Sequence, residues 1–326
     1  MNARKKRKGF SAFLLLSIVV PGFGFAQNTI EAGLQLVAQK KFGEARTVFE
    51  SILKKEPKNA EAHYRLGRLL FRNLGDIDGA VDHLEECVEL DERNAEYHFE
   101  LGRAYGQQTQ EANFFSQARL AGKVKDEFLR AVELQPQTVR YRVALAQYYL
   151  QAPGIVGGSV SKARAQAVEV MKIDPYEGHM AEAAIAGYEK NAKATEQAYR
   201  DAIKVDPNNW RAYHQLGYFY LAEERSGESI SPFKKYVELA PDDANSYDSL
   251  GDGYMALGQT DSALAQYKKA LAADRSFSAS MYNLAVCYET KGMKKEATET
   301  YTQFLTLESS GKRAETAKSK IKKLGS

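Results

Sequence analysis

Two cysteines, one tryptophan and eight prolines are all that 326 residues contain of those types. A scaffold stapled by disulfides and a proline-rich fibre are both excluded by that scarcity. No H-E-x-x-H or C-x-x-C spacing occurs, so no motif argues for a metal site, and no cofactor is expected. Charge of one sign is lacking as well. The formal +3 comes wholly from residues 1–26, which hold Arg4, Lys5, Lys6, Arg7 and Lys8 and no acid; without them 40 basic residues face 42 acidic ones. That balance gives no support to a nucleic-acid partner. Long apolar runs are missing after residue 26, so no membrane span is expected in the mature chain. What is present is 44% hydrophobic residues, too many for a disordered polypeptide, with 19 Tyr, 15 Phe and 24 Gly. By length alone, two or three compact domains are expected.

The first segment has the three parts of a secretory signal peptide: the basic cluster, the apolar stretch Phe10 to Val20, and Gly24-Phe25-Ala26 with small residues three and one before a cut. Eleven apolar residues are short for a bilayer core of about 30 Å. Retention as an N-terminal anchor is the alternative reading. Without a cysteine after the apolar stretch, lipid attachment at the cut is not expected. Residues 1–26 therefore predict a periplasmic or secreted protein, with peripheral envelope association left open. Cys87 and Cys287 lie within amphipathic patterns and read as inert core thiols.

The remainder counts in thirty-fours. WRAYHQLGYFY from Trp210, ANSYDSLGDGY from Ala244 and SASMYNLAVCY from Ser278 superpose: Gly217, Gly251 and Ala285 fall 34 apart, as do Tyr220, Tyr254 and Tyr288. Ser229, Ala263 or Ala297 follows nine residues after each last Tyr, then Phe233, Tyr267 or Tyr301 four later. Toward the N-terminus, Gly33 and Gly67 are 34 apart and Gly102 follows at 35, with closing prolines at Pro57, Pro136, Pro175, Pro207 and Pro241. This L-G-x-x-Y, A-x-x-x-F, P pattern resembles the tetratricopeptide repeat (TPR) family, over about 290 residues. The resemblance implies an all-α fold, a right-handed α-α superhelix. Residues 27–326 form a single solenoid of eight helix-turn-helix units, at 26–59, 60–94, 95–138, 139–175, 176–209, 210–243, 244–277 and 278–311. A capping helix at 312–326 follows, with Ala314, Ala317, Ile321 and Leu324 at helical spacing. The small residue of the first helix lets the second approach closely, and the aromatics fill the space between units.

Three units depart from the period. The third carries about ten extra residues, read as a long second helix or two stacked short ones, with Phe114 and Phe115 folding back on a neighbour or forming a ridge for a partner. In the fourth, QAPGIVGGSVSKARAQA inserts a turn-forming loop. Gly154, Gly157 and Gly158 there serve either the turn itself or contact with a small ligand or peptide; a phosphate loop is excluded, because Lys162 is followed by Ala163 in a helical setting. The fifth unit has Glu182-Ala183 in place of Leu-Gly, which predicts a small-residue first helix, shorter and more flexible than the rest.

Of the five histidines (His63, His83, His98, His179, His214), His63 and His98 share the repeat position of Tyr213 and Tyr247 and read as packing variants. No catalytic constellation emerges, so an enzyme is not expected. In the TPR family ligands lie along the inner surface built by the first helix of each unit. Carried over by position, that surface takes Tyr64, Arg65, Arg68 and Arg72 from the second unit, then Phe99, Glu100, Arg103 and Gln107 from the third. The fourth supplies Arg140 and Gln147, and the sixth Arg211, His214, Gln215 and Tyr218. Asn245, Asp248 and Asp252 come from the seventh, Tyr282 and Asn283 from the eighth. The implied groove runs from cationic to acidic and suits an extended peptide, a protein terminus or an acidic segment. The leading expectation is a non-catalytic interaction scaffold with a protein or peptide partner. The alternative is a periplasmic carrier for a small or polymeric ligand, such as a glycan or cell-wall fragment.

Overall fold

The computed structural model describes residues 29–111 and 113–325, apart from the side chains of residues 111, 114 and 115. The leader at 1–26 and the Phe114 and Phe115 side chains lie outside that description. Among the described residues there are helices and no strands. Helices come in pairs: α1 (Ile30–Ala38) with α2 (Phe42–Lys55), α3 (Ala60–Leu69) with α4 (Ile77–Leu90), and α5 (Ala95–Glu111) followed by α6 (Phe114–Leu134). The series continues with α7 (Val139–Gln151) and α8 (Val160–Ile173), α9 (Pro175–Tyr188) and α10 (Ala192–Val205), and α11 (Trp210–Ala222) and α12 (Ser226–Leu239). It ends with α13 (Ala244–Ala256) and α14 (Thr260–Ala273), α15 (Ser278–Thr290) and α16 (Lys294–Leu307), and a last helix, α17 (Lys312–Leu324). The chain divides after Gln108 into two compact units. None of the described helices is long and apolar enough to cross a membrane.

The turns that start the first helices carry their own caps. Asn59, Asp174, Asn209 and Asp243 each accept a backbone N–H of the following helix, satisfying donors that a helix start leaves open. A second device uses the fourth position of these helices. His63 donates from Nε2 to the carbonyl of Pro57 at 2.9 Å, and His98 to that of Glu92 at 3.0 Å. Arg142 reaches Pro136 at 2.6 Å and Tyr213 reaches Pro207 at 3.2 Å, so four side chains of different chemistry tie down the same turn carbonyl. The histidines are thus accounted for by a backbone acceptor six residues earlier.

Within a pair, the glycine of the first helix is a packing device. A Cβ on Gly217 would stand 2.4 Å from the Phe233 ring, one on Gly251 2.5 Å from Tyr267, one on Gly33 2.3 Å from Phe49 and one on Gly67 2.8 Å from Leu84. The aromatic or leucine of the second helix therefore occupies the volume that glycine leaves empty. At the far end Ala314 and Ala317 of α17 are fully buried against Tyr301 and Phe304, with Ile321 and Leu324 packed alongside. The last apolar face is covered in this way.

Of the two alternatives for the third unit the structure takes the long second helix, whereas the fifth unit differs from expectation. The third resolves into a 17-residue α5 and one continuous 21-residue α6, whose buried face is Leu120, Val124, Phe128, Ala131 and Val132. The fifth unit's α9 is not short: it has 14 residues, with Pro175 at its first position and Asp174 capping it. Alanine is the best helix former, so the small residues lengthen the helix and remove only its side-chain bulk. Cys87 and Cys287 are buried free thiols, and burial pushes the Cys287 thiol up to about 11.

Candidate functional site

In the unit ending at Gln108, α3, the π-helical turn Leu70–Leu74 that continues it, and α5 bring three predicted arginines to one carboxylate. Glu100 is 0% exposed. It accepts from Arg72 and from Arg103 Nη1, the latter at 3.1 Å, while Arg68 Nε stands 3.7 Å away, beyond hydrogen-bond range. Arg68 donates through Nη1 to the Tyr64 hydroxyl at 3.1 Å, and that hydroxyl donates onward to Glu96 at 2.9 Å. Burial pushes the Tyr64 hydroxyl well above its ordinary value. Aromatic rings floor the cluster: Arg103 lies over Phe71 and Phe99 at 5.3 and 5.9 Å, and Arg68 over Tyr64 at 5.2 Å. Arg68 Nε is the one buried side-chain nitrogen or oxygen among the described residues that has no hydrogen-bond partner. Arg65 is closed on Glu61 at 2.6 Å, and Gln107 joins none of these bonds. Glu100, read from its position as ligand-facing, is the interior counter-ion. Three guanidinium groups share it, which leaves an excess of positive charge at an accessible edge.

In the unit that begins at Thr109, the first helices enclose a cavity of about 440 Å³. Gln147, Arg211, His214, Gln215 and Asn245, all predicted for the ligand-facing surface, meet on its wall. The rest of the lining was not foreseen: Val143, Ala146 and Leu150 of α7, Glu177, Met180, Ala181, Ala184 and Ile185 of α9, Tyr199 of α10 and Trp210 of α11. The alanine-rich run of α9 was the signal for it, because a helix without bulk between two bulky neighbours leaves a gap. Trp210 is stacked on Tyr236, with ring centroids 4.7 Å apart. Asn245 donates to the Tyr236 hydroxyl at 3.1 Å and to His214 Nε2 at 3.4 Å. Burial holds the His214 imidazole below its ordinary value, so it is neutral at pH 7. Arg211 is paired with Glu177.

Other predicted residues stand apart from the cavity. Arg140 stacks on Tyr141 at 4.9 Å, and Tyr282 packs edge-on against Tyr301 and Phe304. Asp248 and Asp252, expected on the exposed groove, belong instead to an interior network. Asp248 is 5% exposed and accepts from Ser280 at 2.6 Å and Asn283 at 3.4 Å. Asp252 accepts from Tyr267, Tyr218 and Asn283 at 2.8, 2.9 and 3.2 Å. The acidic groups are thereby spent on tying neighbouring first helices together. Burial, reinforced by the like charge of Asp252, pushes the Asp248 carboxyl up to about 6, against the pull of Ser280 and Asn283. Because that value lies above the unfolded one, Asp248 stabilises the fold most at low pH and loses the contribution as pH rises through about 6. Asp248→Asn, which keeps the acceptor oxygen, is expected to be more stable than the wild type by about 3 kcal/mol at pH 7.5 and by only about half of that at pH 5, the advantage vanishing below the ordinary carboxylate value. Urea unfolding of the two proteins at both pH values measures the difference; a gap independent of pH would contradict it.

The glycine-rich loop is explained by its own geometry. Gly157 has φ of +100°, and a Cβ on Gly158 would fall 1.7 Å from the Ala152 carbonyl oxygen. Tyr148 donates its hydroxyl to the Val156 carbonyl at 2.6 Å, and the Ser159 N–H donates to that of Tyr149 at 2.8 Å. Gly154 has open space around it. No group of three His, Cys, Asp or Glu among the described residues is placed to hold a metal ion.

Family models of the tetratricopeptide repeat match residues 36–98, 198–230 and 249–310. No curated protein matches the sequence. Among solved structures, a tetratricopeptide repeat protein from Parabacteroides merdae superposes with a TM-score of 0.58 at 15% identity, over 79% of this chain and 96% of that one. A chain of the APC/C hetero-tetramer Cut9-Hcn1 gives 0.50 at 13% identity; 92% of this chain is covered, and 57% of that one. YrrB, a TPR protein with an unusual peptide-binding site, gives 0.43 at 18% identity over 59% of this chain and 97% of that one. At these identities the likeness is one of fold.

Proposed function

Because this chain is a tetratricopeptide-repeat protein, we propose that it is a non-catalytic interaction scaffold, holding a peptide or protein segment against the first-helix faces of its repeats. Acidic groups of the partner are drawn to Arg68, Arg72 and Arg103. One observation carries this reading: three guanidinium groups share the single buried carboxylate of Glu100, while each arginine side chain keeps part of its surface in water. A guanidinium offers five donors in a fixed fork, and an incoming carboxylate uses donors that Glu100 does not saturate. The aromatic floor adds contact area at small entropic cost.

Charge reversal is a poor test, since a new carboxylate beside Glu100 would disturb folding. Arg103→Gln removes the charge and keeps a donor. A blocked peptide bearing two adjacent glutamates is expected to bind the wild type and to bind Arg103→Gln about tenfold more weakly, as one lost charge-assisted hydrogen bond requires. Calorimetric titration reads the difference, with the diglutamine peptide as control. Equal affinity of the two proteins, or of the two peptides, would overturn the assignment.

We further propose export through residues 1–26, on the strength of the Arg4 to Lys8 cluster, the apolar stretch Phe10 to Val20 and the small residues before Gln27. N-terminal sequencing of the protein recovered from its own cells is expected to begin at Gln27. A chain that retains Met1 through Ala26 would refute cleavage, and recovery with the cytosol would refute export.

A further inference from the structure

We infer that the cavity between α7, α9 and α11 is a binding site for one large uncharged side chain, aromatic by preference, presented by an extended polypeptide. This rests on the peptide-scaffold reading and adds what one part of the partner must be, but the site lies wholly in the unit that begins at Thr109, so a failure here and a failure at the arginine cluster are distinguishable.

The argument starts from what α9 leaves out. Where other first helices carry leucine and aromatic residues, this one presents Ala181 and Ala184, and the missing volume becomes a cavity of about 440 Å³. That size is within the range of about 300–1,000 Å³ found for ligand sites. A second cavity of about 450 Å³ shares Ala184, Tyr199 and Gln215 with it, so the opening continues along α9 as a groove, which suits a chain more than a compact solute. Its apolar walls include Leu150, Ile185 and the ring of Trp210.

Charge decides what fits. The charged groups of the lining are Arg211 and Glu177, and they are closed on each other, so a charged occupant would lose its water without gaining a counter-ion. Polar groups at the rim are of another kind. Gln147 and Gln215 are exposed, both line the opening, and neither amide makes a hydrogen bond within the described chain. A pair of free amides offers donors and acceptors together, which is what a peptide group needs on either side of a buried side chain. The occupant is thus an apolar side chain in the cavity with its own backbone held at the rim.

Trp210 is the sole tryptophan of the chain, so its emission reports on this cavity alone. The probes are blocked pentapeptides Gly-Ser-X-Ser-Gly with X as Phe, Leu, Ala or Asp. With X as Phe a saturable change is expected with Kd of about 1 mM, the strength of a single anchor, and with X as Ala binding about tenfold weaker. Asp should give no response. Ala184→Leu, on an exposed position of a helix that favours leucine, should fill the cavity and abolish the Phe response while leaving the thermal midpoint unchanged. Gln147→Leu, also exposed, keeps the fold and should weaken Phe binding several-fold. Equal responses to Phe and Ala, a response to Asp as strong as to Phe, or a Phe response that survives Ala184→Leu in a folded protein would each overturn the inference, as would no saturable change with any peptide.

Discussion

Glu100→Ala is expected to remove about 3 kcal/mol from the stability of the unit that ends at Gln108, the lower end of what breaking a buried ion pair costs. The carboxylate is fully buried, and three cations at one site have been desolvated on its account. Deleting it leaves Arg68, Arg72 and Arg103 repelling one another over a floor of Tyr64, Phe71 and Phe99. Each arginine keeps between a quarter and two fifths of its side chain in water, which is why the lower figure applies. The double variant Glu100→Ala with Arg68→Met should recover much of the loss, because methionine is an apolar replacement that removes the most deeply held cation. Urea denaturation followed by circular dichroism measures both. A loss below about 1 kcal/mol for Glu100→Ala would mean that the arginines are stable without their counter-ion.

The second large effect concerns the repeat code itself. Phe233→Ala is expected to cost about 3–5 kcal/mol in the unit beginning at Thr109, since a ring with 0% exposure leaves a cavity behind. Gly217→Leu should also destabilise, by about 1–3 kcal/mol or more, because the new Cβ alone would stand 2.4 Å from that ring. Combined, the two changes exchange bulk between facing positions. Their joint cost should fall short of the sum by about 1–3 kcal/mol, the coupling of residues that occupy one space. Thermal or urea unfolding of the four proteins closes the cycle. Strict additivity would show that Gly217 is small for some reason other than the Phe233 ring.

Several features were legible from residue order because helix periodicity sets which side of a helix a residue occupies. The Gly217 and Phe233 spacing foretold their contact, and Ala314, Ala317, Ile321 and Leu324 foretold the face that α17 buries. The carry-over of positions from the repeat resemblance put Gln147, Arg211, His214, Gln215 and Asn245 on a common surface, and they line one cavity. It also grouped Arg68, Arg72 and Arg103. It was silent on depth. Glu100, Asp248 and Asp252 occupy ligand-facing positions by count, yet neighbouring helices cover them, and hydrogen bonds from Arg72, Ser280 and Tyr267 take up their oxygens.

Residue order by itself determined the helical class, the 34-residue unit and the close approach at Gly33, Gly67, Gly217 and Gly251. Those are properties of one helix or one pair, fixed by local sterics and spacing. Tertiary structure alone decided that Glu100 is a counter-ion, that burial raises the Asp248 carboxyl above the ordinary carboxylate range, and that the small residues of α9 open a cavity beside Trp210. Burial, charge balance and empty volume depend on how far the next helix stands from the residue, and no spacing within a single repeat encodes that distance.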